Sequence, residues 1–154
     1  MSGGEWSAVE LDRVGRALLG TASDAVVVAD RDGLIRFWNP GAERIFGFPA
    51  AEALGQSLDI IIPEPQRARH WAGFQRVMET GESRYGAGEL LAVPGLRGDG
   101  GRISLEFTIV PLHAPDGQME GMAAILRDVT RRFEQVRALR HELAEIRKRT
   151  DPPG

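Results

Sequence analysis

The placement of its tight turns limits what this chain can become. Asp30-Arg31-Asp32-Gly33 separates two short apolar runs, Ala25 to Ala29 and Leu34 to Trp38. An Asp-Gly pair favours positive φ and closes a hairpin. Gly98-Asp99-Gly100-Gly101 and Ala114-Pro115-Asp116-Gly117 separate three further runs: Tyr85 to Pro94, Ile103 to Leu112 and Met119 to Val129. Glycines in the first of these predict bulging. Between the two groups of strands lies a helical block. Asn39-Pro40-Gly41 ends the second strand, and a short helix carrying Ala42, Ile45 and Phe46 runs to Gly47. Pro49 opens another short turn with Leu54, Gly55 breaks the chain, and Leu58 to Ile62 is a brief apolar run bounded by Pro63. Glu64-Pro65 then starts the longest internal helix, which runs to about Met78 and ends at Thr80-Gly81-Glu82. Proline suits a first helical turn because its missing N–H is not needed there. Hairpins on either side of a helical block predict the α+β class, with the block laid across one face of a five-stranded antiparallel sheet.

Helices flank this core. Residues 1–20 form an N-terminal segment whose amphipathic helix spans 5–20, with Trp6, Val9, Leu11, Val14, Leu18 and Leu19 mostly three or four apart. The core spans 21–129. A C-terminal helix spans 130–150, with Thr130 as its predicted cap, and 151–154 is read as a disordered tail.

Composition narrows the function classes. The 154 residues suit one domain, and 42% hydrophobic residues suffice for one core. A net charge of -3 gives no electrostatic footprint for nucleic acid. No apolar run is long enough to span a bilayer, and Met1 to Glu10 is too polar for a signal peptide. The chain has no cysteine, which removes disulfides, thiolate metal sites and cysteinyl photochemistry. The expectation is a reduced, cytoplasmic protein. Phosphate loops, a nucleophile elbow and a Ser–His–Asp order are all missing, and the carboxylates are scattered. The length leaves no room for a kinase, cyclase or DNA-binding region, so the expectation is a chain that is not an enzyme.

His70 is the one residue with the setting for site chemistry. His70, Phe74 and Val77 fall at i, i+4 and i+7, on one apolar helix face that should point at the sheet. The competing reading makes His70 a core histidine bonded to backbone, or a partly exposed helix residue. His113 and His141 are not spaced with His70 as a metal pair and are read as solvent-facing.

At the level of whole motifs the chain resembles the PAS domain family. Asp24 to Gly47 is similar to the family's opening, a hairpin followed by an Asn (Asn39), a small residue (Ala42) and a Gly (Gly47). Gly121 to Thr130 resembles the final PAS strand with its Asp-x-Thr exit into a signalling helix. The match covers about residues 12–132 in the right order. It implies the PAS fold, with short helices and one longer helix on one sheet face, and a sensory, signal-transducing role.

One segment resembles a narrower group. Glu64 to Glu82 is similar to the long helix of rhizobial oxygen-sensing haem PAS domains, in which a histidine at the position of His70 is the iron ligand. Haem b on His70 is what that resemblance implies. Arg76 and Arg84 match positions near the propionates, and Phe107 and Ile109 match the distal apolar positions. Phe74, Val77, Leu90 and Leu105 would complete the lining. The family's distal arginine has no match, since Glu89 or Leu90 stands there; carbon monoxide, nitric oxide or redox state then fits as well as oxygen. Cofactor-free PAS sequences also resemble this helix, so a dimerisation or protein-interaction module without cofactor is the alternative. A small ligand of another kind and a non-covalent flavin remain further readings.

On the terminal helix Val136, Leu139, Leu143 and Ile146 occupy a, d, a and d of a heptad, while Arg132 stands at the preceding d. Two heptads are marginal alone. The first helix, through Trp6, Val9 and Leu18, is expected to complete a homodimer interface that passes the signal to a partner protein.

Overall fold

The computed structural model describes residues 4–82 and 91–151. Helix α1 (Ala8–Leu19) precedes the hairpin of β1 (Ala25–Asp30) and β2 (Ile35–Trp38). The helical block follows as α2 (Pro40–Phe46), α3 (Ala50–Ala53), a 3-10 turn (Leu58–Ile61) and α4 (Glu64–Thr80). Strands β3 (Leu91–Leu96), β4 (Arg102–His113) and β5 (Met119–Asp128) complete the sheet, and α5 (Thr130–Thr150) leaves it. The sheet order is β2-β1-β5-β4-β3, antiparallel throughout. The last strand therefore lies at the centre, and the two hairpins meet along β1 and β5.

Local chemistry fixes each boundary. The carboxylate of Asp30 accepts from Asp32 N at 3.0 Å and Leu34 N at 3.1 Å, while Gly33 supplies φ 76 for the turn. Asn39 caps α2 ahead of Pro40, and Gly47 ends it at φ 79. Pro65 opens α4 and Gly81 closes it at φ 71. The inner face of the sheet packs on the helical block. Ala25, Val27, Ala29, Ile35, Trp38, Ala42, Ile45, Phe46, Ile103, Leu105 and Leu126 form the larger core cluster. Val77 of α4 packs on Met119 and Met122 of β5 in a second, smaller cluster.

Several boundaries depart from expectation. Helix α1 starts at Ala8, not residue 5, because Ser7 and Glu10 form a reciprocal capping box. Leu34 lies outside β2 and makes an isolated bridge to Ser57. Strand β3 runs on past Pro94 to Leu96. It is an edge strand, where a proline costs no ladder bond if its nitrogen faces away. The expected start of that strand, 85–90, lies outside the described residues, as do 1–3 and the tail 152–154. Thr130 does not cap α5. Val129 holds the cap position, and the Thr130 hydroxyl instead accepts from Ser104 N at 2.9 Å and bonds the Asp128 carboxylate at 2.5 Å.

Candidate functional site

The inner face of α4 carries Gln66, His70, Phe74 and Val77, one helical turn apart in succession. Val77 is buried, and the other three are half-buried. Phe74 joins the packing of both core clusters. The rings of His70 and Phe74 lie 6.2 Å apart, and Trp71 stands edge-on to both, at 4.8 Å from His70 and 5.2 Å from Phe74. Trp71 is committed to the β1–β2 hairpin. Its indole donates to Asp59 Oδ1 at 2.7 Å and lies on Gly33, where an added Cβ would meet the ring at 2.2 Å.

His70 is an inward-facing imidazole, not a group in bulk water. Burial holds its pKa below the ordinary 6.5, and the negative charge of Asp59 opposes that shift without cancelling it. The ring is therefore neutral near pH 7. Its Nδ1 is buried and has no hydrogen-bond partner among the described residues, and the side-chain oxygen of Gln66 is in the same condition. Buried polar atoms without partners are uncommon, because each forfeits its water without compensation.

Strand β4 presents the sheet side. Leu105 is buried, and Phe107 and Ile109 follow it at period two, half-buried, on the face that packs with α4. Phe74 bridges the two clusters, packing with Leu105 and Phe107 in one and with Val77 and Ile109 in the other. Arg76 is exposed, on the outer side of the helix. Arg84 and Leu90 lie outside the described residues, as does Glu89. His113 and His141 are exposed. No cluster of three or more His, Asp or Glu suited to a metal ion occurs among the described residues; a haem would ask only one histidine of the protein.

The opposite face of β4 holds the start of α5. Val129 N donates to Ser104 O at 2.8 Å, Ser104 N to the Thr130 hydroxyl, and Arg132 pairs with Glu106. Arg127 of β5 pairs with Asp24 at 3.1 Å, beside the linker from α1. A polar concavity of about 490 Å³, lined in part by Asp24, Arg44, Arg127 and Arg131, opens at this junction. A second, of about 440 Å³, lies between the β1–β2 and β4–β5 turns. Beyond the junction α5 exposes Phe133, Val136, Leu139, Leu143 and Ile146, and α1 exposes Trp6, Val9 and Leu18. Neither helix buries any residue. No helix among the described residues is long and apolar enough to cross a membrane.

Four features of this site join residues that the sequence does not visibly connect: the unpartnered Gln66 oxygen, the Trp71–Asp59 bond, the Arg132–Glu106 pair and the Asp24–Arg127 pair. Only one had a visible signal. Arg132 is a charge at a heptad d position, an irregularity that its bond to the sheet explains.

The chain matches the family described as PAS fold over residues 19–134. It is 34% identical over 134 residues to the sensor protein FixL of Bradyrhizobium diazoefficiens, covering 83% of this chain but 25% of that protein. The crystal structure of the PAS domain of a protein from Colwellia psychrerythraea superposes with a TM-score of 0.68 at 25% identity, covering 79% of this chain and 98% of that one. An RNA-binding light-oxygen-voltage receptor gives a TM-score of 0.73 at 22% identity, over 94% of this chain and 40% of the other. That last likeness concerns the fold alone.

Proposed function

The chain belongs to the PAS fold family of sensory, signal-transducing modules, and from that premise we propose that it senses through haem b held on His70. The inward-facing imidazole on α4, kept neutral by burial beside Trp71 and Phe74, carries this reading. A neutral ring offers a lone pair to iron, and Phe74, Val77, Leu105, Phe107 and Ile109 are apolar groups suited to a macrocycle. Of the two arginines that the resemblance offers the propionates, Arg84 is kept, since Arg76 stands exposed on the outer side of α4. Haem, when bound, supplies an iron that takes a diatomic ligand or changes redox state. The chain's own residues orient the imidazole, exclude water around it and transmit a change in the sheet to α5 through Ser104 and Glu106. Output passes by pairing of α1 and α5 with a second copy, through Trp6, Val9, Leu18, Val136, Leu139, Leu143 and Ile146.

The test is the absorption spectrum of protein purified with haem supplied. A Soret band that is lost in His70→Ala, with the fold retained, is the expected result. A folded wild-type chain that stays colourless overturns the haem reading. One observation favours a second reading, a pairing module without cofactor: the large Trp71 side chain already occupies part of the helix–sheet interface. A colourless protein that forms stable dimers is what that reading requires.

A further inference from the structure

We propose that Gln66 is the positioning residue of His70: its side-chain oxygen accepts the Nδ1 proton, fixing the tautomer that leaves Nε2 free to bind a ligand. The inference deepens the reading of His70 as the ligand-bearing group and rests on it. Residues 66 and 70 stand one turn apart on the same face of α4. Helical side chains lean toward the N-terminus, so the His70 ring extends over the turn that holds Gln66. Gln66 Oε1 and His70 Nδ1 are the two buried side-chain polar atoms without a partner among the described residues. They are also complementary. An amide oxygen only accepts, and Nδ1 donates in one of the two neutral tautomers.

Two neighbouring donors are already engaged. Trp71 Nε1 donates to Asp59 Oδ1, and Arg67 donates to the carbonyls of Ile62 at 3.0 Å and Asp59 at 3.3 Å. Each unpaired atom forfeits more than a side-chain rotation costs, so the two relax onto each other. A hydrogen bond to one ring nitrogen decides which nitrogen remains for a ligand. An amide does this without adding charge, whereas a carboxylate at the same place would draw the proton further from the ring.

The experiment uses the full chain labelled with ¹⁵N at histidine, without haem, at pH 8 where the ring is neutral. Two-bond ¹H–¹⁵N correlations report the tautomer of His70; His70→Gln identifies its signals against His113 and His141. The expected result is Nδ1–H in the wild type and in Gln66→Glu, which keeps an acceptor. In Gln66→Leu the tautomer ratio inverts toward Nε2–H, the form that predominates in free histidine. An unchanged ratio in Gln66→Leu, or Nε2–H in the wild type, overturns the proposal. Because haem is absent, the two readings fail separately: a colourless protein showing the expected tautomers sustains the role of Gln66 and removes only the haem.

Discussion

Replacing Asn39 by alanine should destabilise the domain far beyond the loss of a helix cap. Asn39 is 1% exposed and makes four side-chain hydrogen bonds. Its oxygen accepts from Val26 N at 2.8 Å and Ala42 N at 2.9 Å; its nitrogen donates to the carbonyls of Thr21 and Asp24, each at 3.0 Å. Alanine strips the partners from three of these backbone groups, because the Thr21 carbonyl keeps the Gly41 N–H. An unsatisfied buried group costs about 1–3 kcal/mol. Val26 and Ala42 are buried and take the full penalty, whereas Asp24 is only half-buried. The sum is about 3–5 kcal/mol, against about 1 kcal/mol for an ordinary cap. At roughly 2–4 °C per kcal/mol for a chain of this size, Tm should fall by roughly 6–20 °C. Urea unfolding followed by tryptophan fluorescence measures the difference. Asn39→Asp adds a second readout. It keeps both acceptor bonds but turns an oxygen toward two carbonyls, so it should be more stable at pH 5, where that oxygen can carry a proton, than at pH 8. A loss near 1 kcal/mol for Asn39→Ala would mean that the residue only caps α2 and that the linker from α1 is held by something else.

Two further outcomes are expected. Leu143→Glu places a charge in the exposed apolar stripe of α5 and should convert dimer to monomer in sedimentation at micromolar concentration while leaving the thermal melt of the core in place; a monomeric wild type would refute the pairing. For His70, the folded pKa lies below the unfolded 6.5, so below that pH the unfolded chain binds a proton that the folded one resists. Stability contributed by the neutral ring is thus present above about pH 6.5 and lost as pH falls toward the folded value, and His70→Gln should flatten the change in urea midpoint between pH 7.5 and 5.5.

The fold was legible because its punctuation is local. The Asp30–Gly33 turn, the Asn39-Pro40 strand end and the Glu64-Pro65 start each carry their own chemistry within four residues, and the tight turns give the strand neighbours within each group; that β1 meets β5 is not contained in them. What could not be read was anything that joins distant segments through polar atoms. Asn39 marks the end of a strand in sequence, yet its bonds to Thr21, Asp24 and Val26 depend on the hairpin folding back beside it. Thr130 likewise has the composition of a cap, but Ser104, 26 residues away, captures its hydroxyl. The periodicity of α4 placed His70 on the inner face, but period alone cannot tell whether a nitrogen finds a partner. A glutamine in a first helical turn is ordinary, and only the burial of the Gln66 oxygen without a partner among the described residues makes it notable.

The alternation of β4 puts the proposed site and the start of α5 on the two faces of one strand. Leu105, Phe107 and Ile109 turn toward α4, while Glu106, between them, turns to the opposite face and pairs with Arg132 of α5. Ser104 anchors Val129 and Thr130 with its backbone N–H and carbonyl. Any ligand that spreads or tilts β4 from the inner face therefore moves the anchors of α5 directly, with no intervening loop. Such a ligand can bias the helix only by as much as it prefers one strand position over the other. That condition favours a ligand attached to α4, because a bond to His70 fixes one side of the space and leaves the sheet as the side that yields. A ligand merely filling the space could be accommodated by movement of either wall, and α5 would feel only part of it.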